Sequence, residues 1–360
     1  MSTSRSGRLR PLLALLLTAL LAVGLAACGS DDDGGGTATA AASTTGDGAA
    51  SPASASAPEK ITIAYQAIPN GDLVVKNGRW LEQAFPDTEI EWKLFDSGGT
   101  VNEAVAARSI DIGLAGSSPV ARGLSTPIEY QVPWIHDVIG RAESLVVKDE
   151  IASIEELRGK KIATPLASTS HYSLLAALDR AGLSERDVEI IDAEPDDIFA
   201  AWSRGDIDGA YVWNPNLAKI VEDGGRVLVS SEELAREGKT TYDLAVVTNE
   251  FAADHPDAVT TWVQAQDRAV RLIREDPAEA ARAIAAELNI EPAEAEAQVA
   301  DLIFLTAAEQ AGPEYLGGGV ARNLFATAAF NQRLGQIPSI FEESRYTDAV
   351  TTQFAEAAAR

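Results

Sequence analysis

Three loops carry the residue types that could hold an anion. Gly116-Ser117-Ser118-Pro119 follows an apolar strand and leads into Val120-Ala121-Arg122. Serine is a good N-cap and proline suits the first helical position, so the segment predicts a helix entered from a glycine-serine loop. The free backbone N–H groups at the positive end of such a helix can hold an oxyanion without a cationic side chain. Ala167-Ser168-Thr169-Ser170-His171-Tyr172-Ser173 crowds hydroxyls at the entrance to a helix whose apolar face is Leu174, Leu175 and Leu178. Thr169 and Ser170 there could converge with N–H groups on one anion. Phe95-Asp96-Ser97-Gly98-Gly99-Thr100 is a third loop of this kind.

A cation has its own candidates. In Tyr211-Val212-Trp213 the period of two puts Tyr211 and Trp213 on one face of a strand. The Trp213 ring can enclose an ammonium through its face. Asp243, just before Leu244-Ala245-Val246-Val247, is a natural counter-charge for an amine. Signs of catalysis are few. His136, His171 and His255 show no HxxH or HExxH spacing, and no GxSxG elbow or GKS/T loop is present. Neither metal nor cofactor is expected, and the chain reads as a binder without catalytic activity.

The elements that must position these groups alternate between short apolar strands and helical patterns, which argues for an α/β fold. Strands are predicted at 61–65, 90–94, 110–115, 144–147, 161–164, 188–191, 209–212 and 244–248. Helices are predicted at 100–108, 154–157, 172–181, 198–204, 257–274, 278–287, 291–304 and 324–334, leaving the C-terminal third almost without strands. One internal echo stands out. Ala104-Val-Ala-Ala-Arg108-Ser-Ile-Asp-Ile-Gly113, followed by Ser118-Pro119, matches Ala200-Ala-Trp-Ser-Arg204-Gly-Asp-Ile-Asp-Gly209, followed by Asn214-Pro215. Two similar half-sites would suit two lobes facing a cleft.

The N-terminus reads as an export signal. Arg5, Arg8 and Arg10 precede an apolar run from Leu12 to Ala27, short for a membrane span of about 20 residues. Leu25-Ala26-Ala27-Cys28-Gly29 looks like a lipobox, which implies cleavage before Cys28 and a diacylglyceryl thioether on it. Cys28 is the only cysteine, so it can make no internal disulfide. The two acyl chains would suffice for a stable anchor on the extracytoplasmic face of the cell membrane. Residues 1–27 are then a signal peptide and 28–59, rich in Asp, Gly, Ala, Ser and Thr, a flexible linker. A net charge of −25 argues against nucleic acid and anionic membrane surfaces as partners. The chain beyond the linker is long enough for two lobes with separate cores.

Several segments together resemble the taurine-binding proteins of ABC importers. They are Ala64-Tyr65-Gln66, Phe95-Asp96-Ser97-Gly98, Leu114-Ala-Gly-Ser-Ser-Pro119, the run Ser168 to Leu178, Arg204 to Trp213, and Tyr242 to Val247. They keep the same order over most of residues 60–260. The wider group is the type II solute-binding proteins. The resemblance implies two α/β lobes, 60–146 with 247–360 and 147–246, hinged by two crossover strands and carrying a helical C-terminal part. It implies capture of taurine, 2-aminoethanesulfonate, by a monomer that delivers it to an ABC permease and its ATPase. On matching positions the sulfonate would meet Ser117, Ser118, Thr169, Ser170 and His171. The ammonium would face Trp213 and Asp243, with Gln66 and Glu143 nearby. A rival keeps the fold and takes an alkanesulfonate or another small organic anion; a rival of another class is a ligand-sensing module for a membrane receptor.

Overall fold

The computed structural model describes residues 57–360. The expected signal peptide, the lipid site Cys28 and the linker up to residue 56 lie outside the described residues. Eleven strands are present among the described residues: β1 (Lys60–Tyr65), β2 (Glu89–Leu94), β3 (Ile112–Gly116), β4 (Tyr130–Ile139), β5 (Glu143–Val147), β6 (Lys161–Thr164), β7 (Glu189–Asp192), β8 (Gly209–Trp213), β9 (Arg226–Ser230), β10 (Thr241–Thr248) and β11 (Leu302–Ile303). They form two sheets, ordered β2-β1-β3-β10-β4-β11 and β7-β6-β8-β5-β9. In each sheet three strands run parallel, and the fourth, β10 or β5, is antiparallel to them. The sheets are therefore built to one plan.

The echo in the sequence falls at the same place in both. Helix Gly98–Ala106, strand β3 and helix Ser117–Leu124 form one copy; helix Pro195–Arg204, strand β8 and helix Asn216–Glu222 form the other. Arg108 and Gly205 take left-handed backbone angles at the corresponding turns, with φ of 54° and 75°. Gly205 suits that conformation because it has no Cβ to clash.

The chain passes between the sheets twice, at residues 140–142 and again between β9 and β10. The lobe edges expected at 146/147 and 246/247 fall inside β5 and β10. Each of those strands pairs along its whole length within one sheet, β5 in the second and β10 in the first. Apolar clusters cover both faces of each sheet. Helix Gly319–Arg333 joins them, with Leu324 and Ala328 in a cluster of the first sheet and Phe330 in a cluster of the second.

Strand β4 is the largest element without a sequence expectation. Its run Tyr130-Gln-Val-Pro-Trp-Ile-His-Asp-Val-Ile139 contains Pro133, His136 and Asp137, which read against a central strand. The pairing with β10 slips twice, once between Asp243 and Leu244 and once between Ala245 and Val247. Pro133 falls in one irregularity and His136 in the other, so the residues that break the pattern sit where the ladder is already broken. The outer edge of β4 meets β11 only at Val138 and Ile139. Further along, Gln310 replaces a strand: its Oε1 accepts the Ile135 N–H at 2.7 Å and its Nε2 donates to the Ile135 carbonyl at 2.8 Å. Helix 291–304 of the sequence reading ends at Val299, and Leu302–Ile303 is the short strand β11 instead.

Gln310 is fully buried, so its removal strands a backbone donor and acceptor. Gln310→Ala is expected to destabilise the protein by about 2–4 kcal/mol, read as a lower urea midpoint at an unchanged m-value.

Candidate functional site

Gly98, Gly116 and the pair Ser168-Thr169 bring three helix starts to one small cavity that is partly open to solvent. Gly98 opens the helix after β2, Gly116 is the N-cap of the helix after β3, and Ser168 is the N-cap of helix Thr169–Arg180 after β6. No side chain caps the first two. Their first-turn N–H groups are thus positive partial charges without a side-chain acceptor at the cavity wall. Gly116 is required by a close approach: a Cβ there would stand 2.5 Å from Thr169 Cγ2 of the second sheet's layer.

The same wall carries carboxylates. Asp243 lies on β10 directly between Gly116 on β3 and Asp137 on β4. It keeps partial access to the cavity, whereas Asp137 behind it is fully buried and neither of its carboxyl oxygens has a hydrogen-bond partner. Burial first, then the neighbouring Glu143, push the Asp243 carboxyl up to about 8. Burial, Asp243 and Glu143 push Asp137 well above the usual carboxylate range.

Glu143, on β5, is held differently. Its Oε2 accepts from Thr169 Oγ1 at 2.5 Å and Ser170 Oγ at 2.9 Å, and its Oε1 from Ser231 Oγ at 2.7 Å and Ser173 Oγ at 3.3 Å. Burial raises this carboxyl while the four hydroxyls lower it. Four donors suit an acceptor-only carboxylate.

Of the residues expected from the sequence, Gln66, Glu143, Thr169, Trp213 and Asp243 line the cavity. Gln66 donates its Nε2–H to the Leu114 carbonyl at 3.1 Å, which fixes the amide against β3. Ser117, Ser118, Ser170 and His171 are buried outside that lining. Ser117 Oγ accepts the Tyr242 N–H at 3.2 Å and Ser118 Oγ faces Asn331 Nδ2 at 3.4 Å. His171 Nδ1 accepts the Ala167 N–H at 3.3 Å, and burial with nearby Arg122 holds the ring down at about 4, hence neutral.

The physical reason is where the helices start. The first begins at Ser117, ahead of the expected serine N-cap and proline N1, and the second at Thr169, ahead of the expected Tyr172. Hydroxyls expected in an open loop are therefore inside a first turn, pointing at protein. Gly98 belongs to the third loop read from the sequence; Asn214, read there only as part of the echo, also lines the cavity, and Asp137 was not expected. An acid inside the buried run Val132–Ile139 is the signal that could have found Asp137, because an unpaired buried aspartate is rare.

Comparison with known proteins adds an independent line. Residues 88–280 match the family model described as NMT1/THI5 like. The taurine-binding periplasmic protein of Escherichia coli K12 is 34% identical over 302 residues, 82% of this chain and 92% of that one. The alkanesulfonate-binding protein SsuA from Xanthomonas axonopodis pv. citri, solved bound to MOPS, superposes with a TM-score of 0.69 at 25% identity, covering 81% of this chain and 99% of its own. The desulfurization enzyme DSZB shares the fold at 16% identity and a TM-score of 0.59, over 84% of this chain and 99% of that one. The fold therefore serves binders and at least one enzyme.

The acid wall predicts an unusual pH response. A native carboxyl near 8 keeps a proton that the unfolded chain has lost above about 4, so the Asp243 contribution falls as pH rises through that window. Asp243→Asn, which cannot ionise, is expected to melt higher than the wild type by a margin that is small at pH 4 and grows to pH 8. Melting curves of both proteins at each pH without ligand check this; a margin independent of pH would contradict it.

Proposed function

We infer the function from one premise: the chain belongs to the NMT1/THI5-like family. We propose that it is the extracytoplasmic substrate-binding component of an ABC importer and that it binds taurine in the cavity between the two sheets. The observation that carries this reading is a wall of both signs. Three helix N-termini and an aspartate that pairs with no cation among the described residues meet in one small cavity, and a zwitterion answers both.

A sulfonate is anionic at every relevant pH, so N–H groups and helix ends can hold it with no proton to manage. The carriers on that side are the starts of the helices at Gly98, Gly116 and Thr169. In place of the hydroxyl contacts expected at Ser117, Ser118, Ser170 and His171, the backbone does the holding, and the hydroxyls of Thr169 and Ser170 keep Glu143 in place. The ammonium faces Asp243 and the ring of Trp213. Trp213 sits opposite Glu143 in the β5–β8 register, so its position follows from the strand that anchors Glu143.

The division into lobes follows the sheets: residues up to 139 with those from 241 onward, and 143–230 between them. Ligand enclosure by the two lobes, release to a permease with its ATPase, anchoring through Cys28 and action as a monomer complete the proposal. No chemical step is assigned to the chain. No histidine or cysteine lines the cavity, and its carboxyls are placed to meet charge. A ligand without an amine is the second reading, favoured by the ease with which Asp243 holds a proton.

Calorimetric titration with taurine and ethanesulfonate tests the reading. Taurine is expected to bind the more tightly at pH 8. Asp243→Ala should weaken taurine by roughly 10- to 100-fold, the range of one charged hydrogen bond, with little change for ethanesulfonate. Equal affinity for the two ligands at pH 8, unaltered in the variant, would discard the ammonium pocket in favour of the alkanesulfonate reading.

A further inference from the structure

Cross-strand neighbours directly opposite one another place their Cβ atoms about 4.5–5.5 Å apart on one face. Asp137 and Asp243 are such a pair. The ladder slips beside them, with Leu244 opposite Ile135, so His136 is the extra residue of the bulge. Both oxygens of Asp137 are buried without a hydrogen-bond partner. Among the described residues no lysine or arginine forms an ion pair with Asp137, Asp243 or Glu143.

The surroundings on every side are acidic or uncharged. From β5 comes Glu143, its four hydroxyl donors already spent on it. From β3 comes Gly116, and from the helix after it Ser117, which bonds the backbone next to Asp243. From the helix Gly71–Asn77 comes Asp72, 3.8 Å from His136 Nε2 and bonded by Gln266 from helix Pro256–Glu275. Strand β11 offers only Leu302 and Ile303. A pair of carboxyls in this setting cannot both ionise without a cation, and the only place from which one can come is the cavity.

We propose that the Asp137–Asp243 pair makes ligand choice depend on pH: fully protonated, the cavity accepts an uncharged tail, and with one proton gone it accepts an ammonium. The proposal rests on the sulfonate reading above and deepens it. When taurine enters, the O–H bond of one carboxyl breaks, its electron pair stays on the carboxylate, and the proton leaves to solvent. The ligand keeps its own ammonium proton count, and charge balances because one proton departs as one cation arrives. An amine-free sulfonate displaces no proton. The sulfonate end is indifferent to pH, so the entire pH response belongs to the tail of the ligand.

The raised Asp243 carboxyl sets the range, with its midpoint at about 8. Asp72, pushed up to about 7 by burial, titrates in the same range but behind His136 and outside the cavity. His136 and His171, held down at about 3 and about 4, stay neutral throughout.

The test uses the full chain, titrated between pH 6 and 8 in buffers of different ionisation enthalpy. Taurine is expected to lose affinity about tenfold for each pH unit below about 8 and to release about one proton per molecule bound at pH 6–7. Ethanesulfonate is expected to release none and to bind no more weakly at pH 6 than at pH 8. Asp243→Asn removes the carboxyl that faces the cavity, so its taurine affinity should be low; with Asp137→Asn added no acid of the pair is left to ionise, and the affinity should be low and flat with pH. Taurine that binds with a flat profile and buffer-independent heats overturns the proton coupling and leaves the sulfonate reading standing. A wild-type slope that persists in the double variant assigns the proton elsewhere, Asp72 first, and overturns it as well. Failure of taurine to bind at any pH removes both readings together.

Discussion

A carboxyl group taken out of water must find a partner or keep its proton, and this protein gathers, at the junction of its two sheets, three acids that pair with no cation among the described residues. Much of the local architecture answers to them. Glu143 draws a hydroxyl from each of Thr169, Ser170, Ser173 and Ser231, which ties the start of β5 to helices Thr169–Arg180 and Ser231–Ala235. Asp137 and Asp243 receive no such set. The contrast separates a structural acid from a pair left for something that comes and goes.

The repeated plan of the sheets explains how the opposing charges reach the same cavity. In each sheet the parallel strands deliver their following helices to one edge, with the helix N-termini directed there, as in other open α/β sheets where ligands collect beyond the strand ends. The antiparallel strands β10 and β5 run back against them and bring Asp243 and Glu143 to that edge. Helix dipoles and carboxylates are thus neighbours by topology. Gly116, opposite Asp243 in the ladder and pressed on Thr169 of the other layer, is where the two contributions meet. A Cβ there would press on the Thr169 methyl, which would have to shift.

Much of this was legible in the chain and the remainder has a definable cause. Alternation and turn residues located β1, β2, β5, β6 and β8 within a residue or so, and the internal echo matched two helix–strand–helix units. The taurine-binding resemblance agreed with the family and the neighbours found. Helix boundaries and side-chain directions were less legible. Two helices begin two and three residues earlier than the N-cap reading suggested, and Ser117, Ser118, Ser170 and His171 are buried outside the cavity lining. Strand β4 was missed because Pro133, His136 and Asp137 contradict strand propensity locally; tertiary pairing with β10, interrupted at those residues, overrides it. Asp137 was hidden for the same reason. Its partner in the ladder lies more than a hundred residues on, and no local pattern pairs them.

The two ends of a zwitterion place unequal demands on a protein. An anion whose charge never varies can be met by backbone N–H groups, which cost no titration and tolerate many tails. Recognition of the sulfonate therefore says little about which sulfonate is bound, and related folds can share it while taking different ligands. Discrimination must come from the variable end, where a carboxyl either finds a cation or stays protonated. An acid that pairs with no cation among the described residues is a sensitive detector for that difference, because at a given pH the ligand decides its charge. The apparent defect of Asp137 and Asp243, burial without a partner, is on this argument the feature that gives the cavity its selectivity.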